Sequence, residues 1–416
     1  MKTEVIDTIL QQYAEDAAFL WLLRDASIKQ PHYDLSDLVE LDDRVEAHFD
    51  GLRIAGEPGW EICKESLAME EAGEVFVAAE LAFESGEEKR VQTVLEAGSG
   101  DPDLARGLIS ALGWLEWPQA EKHVRNLADF DSPELRRIGL AACTIHRQNP
   151  GQLLVDSLAS DDPLLRVRAL KAVGELGRQD LLPQLHDNLS VEDEKCRFYA
   201  AWSTALLGGS GTLPVLRDIA ESESEYSEKS CAMALRGMKL EDSHAWLREL
   251  SLKDECTRLA VQGAGVVGDP VSIPWLIEVM EVPELARVAA EAFSMITGVD
   301  LAYEDLEGEW PEGFKAGPTE EPEDEDVEMD PDEDLPWPEP ELIAEWWNEK
   351  KGKFRTGTRY LVGKPVSSEH LLQILKTGYQ RQRTAAALEL AMLQPGQPLF
   401  EVRAPGFRQQ EILGLK

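Results

Sequence analysis

Long apolar runs are missing from this 416-residue chain. The longest unbroken one, residues 17–23 (AAFLWLL), falls far short of the roughly 18 residues that a membrane-spanning helix requires. Residues 1–10 hold one early lysine followed by acids, without an apolar core of signal-peptide length, so a cytoplasmic location is expected. Basic residues are scarce: 41 Lys+Arg stand against 79 Asp+Glu, a net charge of −38. Phosphate repels such a surface, which argues against nucleic acid and anionic membranes as partners and favours a basic protein or a simple need for solubility. The five cysteines (Cys63, Cys143, Cys196, Cys231, Cys256) form no CxxC pair and read as reduced core thiols. None of the seven histidines precedes a glutamate, and neither HExxH nor a Cys/His ligand spacing occurs, so no metal or other cofactor is expected. GxSxG and SxxK with its partner motifs are missing as well. Residues 208–211 (GGSG) lack the Lys-Ser/Thr of a phosphate loop and read as a bend needing positive φ. Carboxylates are too numerous for any pair to stand out as an acid/base couple, so no catalytic residue is expected. Hydrophobic residues nevertheless make up 43%, which excludes a wholly disordered chain.

What the chain does contain is a period of about 30 residues between positions 100 and 298. An acidic, often proline-containing turn recurs around positions 102, 133, 163, 193, 224, 254 and 283, in steps of 29 to 31. A second marker, Pro118, Pro150, Pro183, Pro214, His244 and Pro274, recurs in steps of 30 to 33. Residues 162–189 show what one unit encodes. An acid and a proline suit the first turn of a helix, where the dipole is positive and one amide is dispensable. Leu165, Ala169, Ala172, Val173 and Leu176 then form one apolar stripe at helical spacing. Gly177 supplies a stop, and Pro183 opens a return helix. One such hairpin cannot bury both faces, so the units must stack into an all-α solenoid of about seven two-helix repeats.

These units resemble the short HEAT-like repeats of the phycobilin-lyase type. The flanks FLWLLRDASIKQPHYDL (19–35), LDDRVEAHFDGLRIAGEPGW (41–60), LPWPEP, RYLVGKP and GYQRQRTAAALELAMLQPGQPLFEVRAP resemble a bacterial HEAT-like-repeat family of no assigned activity, met in gene neighbourhoods of type VI secretion systems. The resemblance implies a non-enzymatic protein-binding scaffold, such as a chaperone, an adaptor or a neutraliser of a secreted effector. The alternative it leaves open is an enzyme working in the groove with bilin-lyase-like chemistry. Its candidate nucleophiles Cys63 and Cys143 lack the basic surroundings that would lower a thiol pKa.

Four segments are expected: a helical cap (1–99), the repeat solenoid (100–303), an acidic linker (304–334) and a helical closing module (335–416). Helices are predicted at 5–23, 38–52 and 73–83 in the cap, and at 340–351, 368–377 and 380–393 in the module. The linker carries sixteen acids and one lysine, so it can build no core of its own; the module is mildly basic, with twelve Lys+Arg against eight Asp+Glu.

Two candidate binding features remain. Arg106, Arg136, Arg166, Arg197, Arg258 and Arg287 recur at one place in the first helices. They read either as a stripe on the concave face that grips an acidic or C-terminal peptide, or, preferably, as a ladder pairing with the acidic turns of stacked repeats. Trp337, Trp346 and Trp347, with Arg359, Tyr360, Arg381 and Arg383, read either as an aromatic anchor for a protein partner or, preferably, as the seal of the closing module.

Overall fold

The computed structural model describes residues 7–317 and 329–415, so residues 5–6 of the first expected helix and 318–328 of the acidic linker lie outside the described residues. The fold is all-α, with twenty-two α-helices and one two-residue β-pair among the described residues. The chain divides into two compact units, residues 1–209 with 376–416, and residues 210–375.

The first unit opens with α1 (Asp7–Ser27), α2 (Leu35–Ala55), α3 (Glu57–Ser66), α4 (Ala72–Ser85) and α5 (Glu88–Gly98). The repeats follow as α6 (Leu104–Trp114), α7 (Trp117–Ala128), α8 (Pro133–Ile145), α9 (Gln152–Leu158), α10 (Pro163–Glu175), α11 (Leu182–Asp187) and α12 (Glu194–Leu206). Three of the recurring turns supply helix N-caps. Ser132, Asp162 and Asp193 each accept a hydrogen bond from the amide three residues on (Leu135, Leu165 and Cys196), satisfying one of the orphan donors of the first turn. The first helices stack in register, α6 on α4, α8 on α6, α10 on α8 and α12 on α10. Small residues let them approach: a side chain at Gly174 would collide with Ser203, whose hydroxyl donates to the Leu170 carbonyl at 2.7 Å. At the cap end, Trp21 stacks on Phe76 at 5.2 Å, and Phe49 and Trp114 meet the same ring edge-on.

The second unit contains α13 (Thr212–Ala220), α14 (Ser227–Gly237), α15 (Leu240–Ser251), α16 (Thr257–Val267), α17 (Ile273–Val279) and α18 (Pro283–Thr297), followed by α19 (Pro340–Lys350), β1 (Tyr360–Leu361), β2 (Lys364–Pro365) and α20 (Ser368–Thr377), whose last two residues are assigned to the first unit. Here α14, α16 and α18 stack, and Gly265 lies against Ala292 of the next helix. In both units the proline-marked second helix packs on the first helix of the following repeat, as α7 does on α8 and α13 on α14.

Residues 335–416 are divided between the units, with α21 (Gln380–Leu393) and α22 (Gly406–Ile412) returning to the first. Each unit thereby receives an irregular strap across the C-terminal ends of its stacked helices. In the first, the Leu399 amide donates to the Glu175 carbonyl, Arg147 donates to the Leu399 carbonyl, and Arg408 donates to the Gly113 and Leu115 carbonyls. In the second, the Tyr360 amide donates to Gly268, Val362 to Met295 and Gly363 to Ile296. Helix ends leave carbonyls unpaired, and these straps satisfy them. Gly177 (φ 69°) and Gly268 (φ 71°) terminate stacked helices in the left-handed region, and a β-carbon on either would meet strap backbone at 2.5 and 2.2 Å.

Candidate binding surfaces

The arginine ladder does not act as one feature. Arg106 in α6 pairs with Asp25 of α1 and covers the Trp21 ring. Arg166 donates to the Cys196 sulfur of the next repeat, and Arg197 donates to the Val191 and Glu192 carbonyls of its own preceding turn. The Arg136 Nε is buried with no hydrogen-bond partner among the described residues, beside a cavity of about 430 Å³ shared with Arg125, Cys143 and Asp156. In the second unit the acidic segment itself supplies the partners. Asp332 takes Arg258 in a two-pronged pair at 2.5 and 2.9 Å. Asp330 pairs with Arg287 at 2.8 Å, and the same guanidinium lies over both the Trp310 and Trp337 rings, 5.1 and 5.3 Å away. Arg287 is buried and so offers no face to a partner.

The aromatic cluster is partly a seal. Trp337 packs on Trp310 and Phe314 of the acidic segment and accepts the Gly308 amide through its carbonyl. Trp346 meets Phe293 edge-on at 5.6 Å, whereas Trp347, Phe354 and Tyr360 follow one another at 5.3 and 5.1 Å. Trp337, Trp346 and Trp347 all remain half-buried. Tyr360 is buried, its hydroxyl accepting the Arg355 amide. Arg359 donates to the Val266 and Val267 carbonyls at the end of α16. In the first unit, Arg381 donates to the Lys29 carbonyl. Arg383, expected among the partner-binding residues, is fully buried, its guanidinium held by Gln380 and Gln409. Of the two cations in the QRQR run, one meets a backbone carbonyl and the other is an internal bolt, and sequence alone shows no difference between them.

A second charged arrangement in the first unit joins residues that no sequence motif connects. Arg24 of α1 is buried against Asp42 at 2.6 Å and donates to the Arg403 and Ala404 carbonyls of the strap. Arg147 pairs with Glu401, while Arg168 and Lys171 of α10 share Glu175 at 2.8 and 3.6 Å. Burial works against ionisation of Glu175, yet Arg168, Lys171 and Arg147 hold its carboxyl down at about 2. Burial, reinforced by Arg408, pushes His146 down to about 4, so it is neutral and held at the Leu112 carbonyl. The only outward signal for this group was the run of charges in EVRAPGFR (401–408), with no spacing to connect it to α1, α8 or α10.

All five cysteines are buried, and burial raises the thiols of Cys63 and Cys231 to about 12 and that of Cys143 to about 11. Among the described residues no three His, Cys, Asp or Glu side chains come together as a metal-holding group, and no helix is long and apolar enough to cross a membrane.

Stacked two-helix units define a helical-repeat protein with a HEAT-like solenoid fold. Residues 151–236 match the family of HEAT repeats, a fold commonly used as a protein-interaction scaffold. No curated protein matches the chain.

Proposed function

We propose that this protein is a non-enzymatic scaffold or adaptor of the bacterial cytoplasm that holds a basic protein partner, as an accessory of type VI secretion. The observation that carries the binding role is a preformed stack of HEAT-like repeats on a chain of net charge −38, a surface that speeds encounter with a basic client. The likeness of the flanks to a family met beside secretion genes supports the accessory role. Half-buried Trp346 and Trp347 in the second unit are the proposed apolar anchors for that client, whose cations the acidic surface attracts.

Capture from the native host followed by mass spectrometry tests this reading. One dominant basic client is expected, its affinity falling roughly tenfold or more as salt rises from about 50 to 200 mM. A client insensitive to salt, or none at all, overturns the electrostatic mechanism. Trp347→Ala is expected to weaken the same client while the fold persists. Genes unrelated to secretion on both sides of this one would remove the accessory role.

A further inference from the structure

Enclosed between α1, the facing sides of α6, α8 and α10, and the strap of the first unit is a cavity of about 330 Å³. That volume is at the lower end of small-molecule sites. Its apolar wall is built from Trp21, Ile28, Ile109, Trp114 and Ile145. Its charged rim is unbalanced. Asp25 serves two cations, Arg106 and Arg403. Glu175 likewise serves two, Arg168 and Lys171. Arg24 is already matched by Asp42, and Glu401 by Arg147. Two carboxylates therefore face four cations around the opening, an excess of two positive charges in a molecule of net charge −38. Arg168 lines this cavity, and its buried Nη1 has no hydrogen-bond partner among the described residues, so the guanidinium is not fully satisfied by Glu175. Glu175 stays ionised although buried, which registers the same positive potential.

We propose that this cavity binds an organic carboxylate with an apolar body. The carboxylate would pair with the Arg168 guanidinium and the Lys171 ammonium, and the body would lie on the indole and isoleucine wall. The excess charge is split between two sides of the rim, which suits a singly charged group attached to an apolar moiety better than a compact phosphate.

Calorimetric titration of the full chain with 3-phenylpropionate, with neutral 3-phenylpropionamide, and with an acetylated tetrapeptide ending in a free phenylalanine carboxylate tests the proposal. Saturable one-to-one binding of an acid, at least about tenfold tighter than the amide, is expected. The peptide and the free acid distinguish a chain terminus from a small molecule as the source. Arg168→Gln should remove the preference for acid over amide. Lys171→Gln, at a partly exposed position, should weaken acid binding about tenfold without threatening the fold. Equal affinity for acid and amide, no saturation by either acid at about 10 mM, inorganic phosphate matching the acids, or a Lys171→Gln variant with unchanged affinity each overturns the proposal.

Discussion

Glu175 is the residue on which the first unit's strap and its charged rim converge. Its carbonyl accepts the Leu399 amide, and its carboxylate answers Arg168 and Lys171. Its folded pKa of about 2 lies below the ordinary 4.5, so the unfolded chain takes up the proton first as pH falls. The resulting stabilisation, on the order of 3 kcal/mol, is present in full above the ordinary value and disappears between it and the folded value. Glu175→Gln is therefore expected to lower the melting temperature at pH 7, with the gap from wild type closing as pH drops through that window. A gap independent of pH would show that the side chain acts through packing alone. His146 gives the complementary case. Its pKa falls from 6.5 to about 4 on folding, so the unfolded chain again binds the extra proton and stability declines as pH falls between those values. His146→Gln should flatten that part of a stability curve. Arg383 shows a third use of charge, for a buried guanidinium is tolerated only where its donors are answered, here by two glutamines.

Elements were legible where their cause is local. Caps, prolines and apolar stripes act within a few residues, so the combs at positions 133, 163 and 193 mark the N-termini of α8, α10 and α12 to within a residue. The helices predicted at 368–377 and 380–393 occupy those residues in the structure. The straps were not legible, because their bonds join residues far apart in the chain: Arg147 to Leu399 spans 252 positions. No local pattern encodes such a pairing. The binding features divide in the same way. The identity and period of the ladder arginines could be read, while Asp332 as the partner of Arg258 could not. At this scale Gly177→Ala tests the first strap. Positive φ and the Gly396 carbonyl at 2.5 Å both oppose a β-carbon, so a loss of about 1–3 kcal/mol is expected. The Leu399 amide should exchange with solvent faster in the variant. Unchanged exchange would mean that the strap is held without that close approach.

At the scale of the molecule, the first unit is discontinuous: its residues 1–209 are completed by 376–416. A chain ended at residue 375 loses the partners of Arg24, Arg147 and Asp42 as well as the donors that Arg408 supplies to α6. Leaving Arg24 and Asp42 with an opened surrounding, together with several lost backbone bonds, is expected to lower the first unit's transition by on the order of 10 °C. The second unit, whose strap lies within its own residues, should melt nearly unchanged. Calorimetry of the two chains would resolve this, and a first unit melting as before would argue against the division.

That discontinuity also has a consequence for biosynthesis. A ribosome must translate residues 210–375 before the clasp of the first unit emerges, a delay on the order of 10 to 30 s at ordinary elongation rates. During that interval the ends of α6, α8 and α10 stand uncovered on the nascent chain, while the later-made unit carries everything it needs to close first.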